Sequence, residues 1–238
     1  MGRDISLSWI KIKNRILPHM KKLCLAALIS GLFFLSACIT ITEKYTIHKN
    51  GSGTMEYIID MSEMYEMMSA FSDSSTEKEN PEIDQSFRES VSGIRGIDGI
   101  SNVELTGNIE KYIAGIKFDF QDANSLNQAL ALLFKKEGST AEVKKYVDIS
   151  RKTFTRYNLT SEEFNKEDLL SSQELDPETM KSVLESMKYK IIVNFDKPVK
   201  KVTTLAPFTQ EGKMVTIETN FSEIFDQSNF LHTKIKTR

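Results

Sequence analysis

The sequence predicts an α+β fold: a twisted antiparallel sheet of about eight strands with about four amphipathic helices packed on it. Three observations carry this. Apolar and polar residues alternate over 39–47, 55–61, 112–120 and 189–195, the period-2 pattern of half-buried strands. Most neighbouring strands are joined by short turn segments, which demands antiparallel pairing. Between the strands lie apolar stripes of helical period, each wide enough to bury one helix face on a sheet.

In chain order, Ile39, Ile41, Tyr45 and Ile47 fall on one side of a first strand, with Thr40, Thr42, Lys44, Thr46 and His48 on the other. Lys49-Asn50-Gly51-Ser52-Gly53 follows and holds the Asn-Gly pair that type I′ turns favour. Met55, Tyr57, Ile59 and Met61 then alternate, completing a hairpin. Ser62 can cap a helix in which Met61, Met64, Tyr65 and Met68 share a face. Residues 72–82 read as a mobile loop, and Phe87, Val91 and Ile94 mark a helix over about 83–95. Val103 and Leu105 indicate a strand that pairs with the strict alternation Tyr112, Ala114, Ile116, Phe118, Phe120. Asp122 caps a helix carrying Leu126, Leu130, Leu133 and Phe134. Residues 142–149 and 153–159 form another antiparallel pair. Pro177 opens a helix with Met180, Val183, Leu184 and Met187 as its stripe. A strand with Tyr189, Ile191, Val193 and Phe195 follows, then two more near 199–206 and 213–219, separated by a Glu211-Gly212-Lys213 turn. Phe221, Ile224 and Phe225 are helix-like, and 230–236 is open between helix and strand.

Ahead of these elements the chain reads Met20-Lys21-Lys22, an apolar run from Leu23 to Leu35, then Ser36-Ala37-Cys38. That is the order of a secretory signal. The run covers 13 residues, short of the ~20 a spanning helix needs. Leu35-Ser36-Ala37-Cys38 resembles the lipobox at which bacterial lipoproteins are diacylated on cysteine and cut before it. The bland alternative is an ordinary signal with an incidental cysteine. Residues 1–19 precede a second methionine and read as an over-called start, or else as a long n-region. The expected organisation is a leader over 1–37 and a single domain over 38–238. The implied anchor is two or three acyl chains on Cys38, since one chain alone holds only marginally.

The leader takes six basic residues and one acidic residue with it, leaving 25 Lys+Arg against 32 Asp+Glu and a formal charge of −7. That balance argues against nucleic acid as a partner and against electrostatic docking on anionic lipid. Of the two cysteines, Cys24 leaves with the signal and Cys38 is the lipid site, so no disulfide is expected.

Candidate chemistry is sparse. His48 and His232 lie far apart with no ligand-spaced partners, so neither a metal site nor a cofactor is expected. The chain has no G-x-S-x-G elbow, no S-x-x-K and no phosphate-binding G-x-x-x-x-G-K-[ST]. A non-enzymatic protein is the expectation. The methionines at 55, 61, 64, 67 and 68 admit three readings: a core patch, an adaptable apolar surface for lipid or partner, or a Cu(I) site. The candidate ligand surface is Met61, Met64, Tyr65 and Met68.

Cys38 to Ile47, the Lys49 to Gly53 turn, Met55 to Glu63, and Tyr189 to Thr219 together resemble bacterial lipoproteins of the LppM-like type. The group shares a lipidated cysteine followed at once by a strand, a "K-N-G-S-G" turn, a strand ending near "D-M-S-E", and C-terminal strands after a helix. The transmembrane helix that ends some relatives has no counterpart here. The resemblance implies an α+β domain and lipid or glycolipid binding, and it carries over no binding residue. The leader and the Met/Lys/Asn-rich composition look like a Bacteroidota-type protein. In that group acidic residues after the cysteine direct surface export. Ile39-Thr40-Ile41-Thr42 lacks them, which favours the periplasmic leaflet, and Ile39 rather than Asp just after the cysteine favours the outer membrane in a diderm host. The leading expectation is a binding module for an apolar or lipid-like ligand. The second is a structural or assembly lipoprotein that binds another envelope protein; an envelope enzyme would need convergent polar groups in a cleft.

Overall fold

The computed structural model describes residues 39–71, 88–89, 91–134, 144–158, 176–227 and 229–238, with side chains at 67–71 left aside. All belong to the unit Ala37–Arg238. The expected leader over 1–37, Cys38, the expected loop over 72–82 and Phe87 lie outside the described residues.

The hairpin read from alternation is β1 (Thr40–Ile47) and β2 (Gly53–Asp60), followed by α1 (Ser62–Phe71). Residues 91–95 are helical. Next come β3 (Ile100–Asn108), a 3-10 turn (Ile109–Lys111), β4 (Ile113–Phe120) and α2 (Ala123–Leu133). The short pair β5 (Val147–Ser150) and β6 (Thr153–Arg156) precedes α3 (Pro177–Ser186) and β7 (Lys188–Phe195). The C-terminal part holds β8 (Val199–Thr203), β9 (Phe208–Glu211), β10 (Met214–Asn220), α4 (Phe221–Asp226) and β11 (Thr233–Thr237).

The class is α+β, as the alternation predicts. The described strands number eleven rather than about eight, and they form two sheets: sheet A, ordered β3-β4-β2-β1-β7-β10-β9, and sheet B, ordered β5-β6-β11-β8. One pairing departs from the antiparallel expectation. β1 lies parallel to β7, from Thr40 opposite Lys188 to Ile47 opposite Phe195. Tight turns dictate antiparallel order only between consecutive strands. β1 and β7 are far apart in sequence, and their pairing closes the centre of the sheet.

Two local expectations change. The 48–52 loop is not a two-residue type I′ turn. The Gly51 N–H donates to the His48 carbonyl at 3.0 Å, and only Gly51 has positive φ, at 89°. A type I′ turn on Asn50-Gly51 would need Asn50 there too. Ser62 is not the capping side chain of α1. The Asp60 carboxylate accepts from the Ser62 N–H at 3.0 Å and from its hydroxyl at 2.6 Å. Asp122 caps α2 as predicted, accepting from the N–H groups of Asn124 and Ser125 at 2.9 Å each.

The core lies on one face of sheet A. Ile41, Tyr45, Ile47, Met55, Tyr57, Ile116, Phe118, Tyr189, Ile191, Val193, Val215 and Ile217 are all buried. Sheet B closes on them, with the Phe154 ring 5.3 Å from Tyr45 and 6.3 Å from Phe195.

Candidate functional sites

The inward face of β1 carries one residue that its apolar neighbours do not anticipate. Glu43 sits between Ile41 and Tyr45 in the alternation and is fully buried. Its partner is Arg156 on β6, also fully buried, so the ion pair bridges the two sheets. Arg156 Nε donates to Glu43 Oε2 at 2.9 Å and Nη2 to Oε1 at 2.7 Å. The Tyr45 hydroxyl donates to Oε2 at 2.5 Å, and the Tyr189 hydroxyl donates to Oε1. The remaining guanidinium nitrogen, Nη1, donates to the Tyr157 carbonyl, and the guanidinium carbon lies over the Phe134 ring, 5.7 Å from its centroid.

Burial alone would push the Glu43 carboxyl up. The Arg156 charge and the hydrogen bonds from Arg156, Tyr189 and Tyr45 outweigh it and hold the carboxyl below the ordinary range. Burial and the Glu43 charge hold the Tyr45 and Tyr189 phenols well above theirs. Both Glu43 oxygens are saturated by donors and shut away from solvent. The group is built to stay ionised and in place; it has no free lone pair for a proton or a ligand. It acts as a clamp between sheets.

The second site is one end of sheet A. Asn108, Ile113, Asp60, Thr40, Lys188 and Asn220 are successive cross-strand partners and form its last row. The chain enters at this row from Cys38. Ile39 is already in place: it is half-buried, and its carbonyl accepts from the Lys188 N–H at 2.8 Å. Beyond the row lie Met61, Tyr112 and the 3-10 turn with Ile109, which is 43% exposed. The Met61 N–H donates to the Tyr112 carbonyl at 3.0 Å, and Tyr65 stacks on Tyr112 with 13° between the rings. Tyr112 is held at φ 57°, a left-handed conformation that costs a non-glycine residue about 1–3 kcal/mol.

Of the residues singled out in the sequence, Met61, Met64 and Tyr65 are half-buried beside this end. Met68 belongs to α1, but its side chain, like Cys38, lies outside the described residues. Met55 is a core residue with no exposure, so the five methionines do not form a single surface. Among the described residues, no His, Cys, Asp and Glu group is arranged to hold a metal ion. None of the described helices is long and apolar enough to cross a membrane. Sequence reasoning missed Glu43 and Arg156. The signal was present: an acid at an inward position of β1 and a base at an inward position of Thr153–Arg156.

No protein-family model matches the chain, and no curated protein matches it. Among solved structures it is similar to the folded domain of the Mycobacterium tuberculosis LppM protein, determined by NMR. The two are 10% identical, with 85% of this chain and 91% of that one covered and a TM-score of 0.41. No residue role is transferred from it.

Proposed function

We propose that this chain is an exported cell-envelope lipoprotein, acylated on Cys38, whose domain is a non-enzymatic module for a lipid-like ligand. The ligand surface is the Met61–Tyr65–Tyr112–Ile109 end, and its first ligand is the bilayer that holds the anchor. The observation that carries this reading is register. The lipobox cysteine stands two residues before Thr40, and Thr40 lies in the same row of sheet A as Asp60 and Ile113, which lead into Met61 and out of Tyr112. No tether intervenes, so acyl chains on Cys38 would bring these side chains to the headgroups. Tyrosine, with an apolar ring and a polar tip, suits that depth. Ile39 after the cysteine favours the periplasmic leaflet of an outer membrane in a diderm host.

Mass spectrometry of the native protein tests the anchor. Two or three acyl chains on an N-terminal Cys38 are expected, and an unmodified Cys38 or a mature N-terminus elsewhere would overturn the reading. A second reading, a module that binds another envelope protein, is favoured by Leu205 and Phe208. Leu205 is 66% exposed just ahead of the edge strand β9, and Phe208 is 46% exposed at its start. Crosslinking in intact cells through the Leu205 position separates the two, since only the second reading expects a stoichiometric protein partner there.

A further inference from the structure

The two sheets treat their outward lysines differently. On sheet A each has a carboxylate partner, with Lys188 and Lys190 sharing one. Lys44 pairs with Glu56 at 3.5 Å, Lys117 with Glu104 at 3.2 Å, and Lys188 and Lys190 with Glu218 at 3.7 and 3.3 Å. On sheet B, Lys200, Lys201, Lys234 and Lys236 are exposed, and none of them has an ion pair among the described residues. Lys201 stands directly opposite Lys236 across the β8–β11 ladder. Like charges so placed are destabilising. The acid on this face, Asp148, is taken by Lys145 at 3.3 Å.

The ladder also shifts register at Lys236/Thr237, where Thr237 faces Val199 and Lys200 is the extra residue of a bulge. Bulges re-aim side chains. Lys200 is re-aimed into an open groove that it lines with Lys152, Thr153, Lys236, Thr237 and Arg238. A neighbouring hollow shares Lys152, Thr153 and Thr237 and adds Lys49, Arg151 and Lys197. Its one carboxylate, Asp196, is engaged by His48 Nδ1 at 3.3 Å and by the Lys49 N–H at 3.1 Å.

We infer that this groove binds a linear envelope polymer with repeating phosphodiester groups. Strand spacing of about 4.8 Å and same-face spacing of about 6.6 Å set the cations at intervals suited to successive phosphates. Thr153, directly opposite Lys236 on the same face, adds a neutral hydroxyl donor. Among the described residues that line the groove none has an aromatic ring on which a nucleobase could stack. The neighbouring hollow that continues it is lined by the Ile47–Lys49 end of β1, roughly 25 Å along the strand from Thr40. The choice of polymer over bilayer rests on the anchoring reading, because that distance holds the groove away from the headgroups. Acylation is measured separately, so failure of one is distinguishable from failure of the other.

The test is fluorescence anisotropy of labelled poly(glycerol phosphate) with the full chain in nonionic detergent. Saturable binding that falls steeply with salt is expected. Lys200→Gln/Lys201→Gln/Lys236→Gln should weaken it at least ~10-fold. Lys44→Gln/Lys117→Gln/Lys190→Gln makes the same change of net charge on sheet A and should leave it within about twofold. Thermal melts keep the comparison meaningful, since removing the Lys201–Lys236 repulsion should leave the first variant at least as stable as the parent. The inference is overturned by absence of saturable binding or by equal loss in both variants. It is also overturned if phosphatidylglycerol–phosphatidylcholine vesicles or a single-stranded oligonucleotide compete better than the unlabelled polymer at equal phosphate.

Discussion

Glu43 and Arg156 are each costly to bury alone and tolerable only together. Removing one partner strands the other charge in the core, which typically costs about 3–5 kcal/mol, while replacing both by apolar residues of similar volume is often near neutral. Arg156→Met should therefore lower stability by about 3–5 kcal/mol in urea melts, and Glu43→Leu/Arg156→Met should recover part of it, the Tyr45 and Tyr189 hydroxyls having lost their shared acceptor. Equal losses in the single and double variants would show that packing, not charge, holds this position. The same pair sets a pH dependence. The carboxyl is lowered on folding from an ordinary value of 4.5, so its contribution is present above that value and is lost as pH falls through the lowered one. Tyr45 and Tyr189 are raised from an ordinary 10.0, so their contribution is present below that value and is lost as pH climbs beyond it. Urea midpoints followed across pH should fall at both extremes, and Glu43→Leu/Arg156→Met should flatten the acid limb.

Elements were legible where a pattern is local. The β1–β2 and β3–β4 hairpins, the Asp122 cap and the α3 stripe follow from period, turn and cap chemistry within a dozen residues. The division into two sheets was not legible, because it depends on pairings such as β6 with β11 that no turn specifies. Asn127 illustrates the point. It reads as a polar position within α2, yet its carbonyl accepts from the N–H groups of Tyr146 and Val147 at 2.7 and 2.9 Å, and its amide donates to the Val147 and Ala123 carbonyls at 2.9 and 2.7 Å. It ties α2 to the start of sheet B. Asn127→Leu would leave several buried backbone groups without partners and should cost about 2–4 kcal/mol. Hydrogen exchange should then show early loss of protection at 146–149 while β1 and β7 stay protected; uniform loss would mean that the two sheets unfold as one. Gly53 makes a similar point at the hairpin base, where a Cβ would stand 1.9 Å from the Thr46 carbonyl oxygen.

At the scale of the whole domain, composition concealed the feature that matters. A formal charge of −7 spoke against anionic partners, and it is an average over faces that differ: a paired, alternating ladder on sheet A and unpaired cations on sheet B. Apolar residues had no such problem at the opposite end, since Met61, Met64 and Tyr65 stand close in sequence; what the sequence lacked was Tyr112 and Ile109, which the β2–β4 register, Asp60 opposite Ile113, brings beside them. The domain is thus polar along β1, with tyrosine and apolar side chains at its Ile39 end and cations where the strand ends. That polarity predicts an orientation on the membrane. The chain's one tryptophan, Trp9, belongs to the expected leader, so a tryptophan introduced into the mature domain is a clean reporter. In protein reconstituted through the proposed acyl chains on Cys38, Tyr112→Trp fluorescence should be quenched strongly by bromine-labelled acyl chains, whereas His48→Trp, at the other end of β1, should be quenched little. Equal quenching would mean the domain lies on its side or tumbles freely. In that case the ~25 Å separation would no longer keep the cationic groove from the bilayer, and the vesicle arm of the binding experiment would become the decisive one.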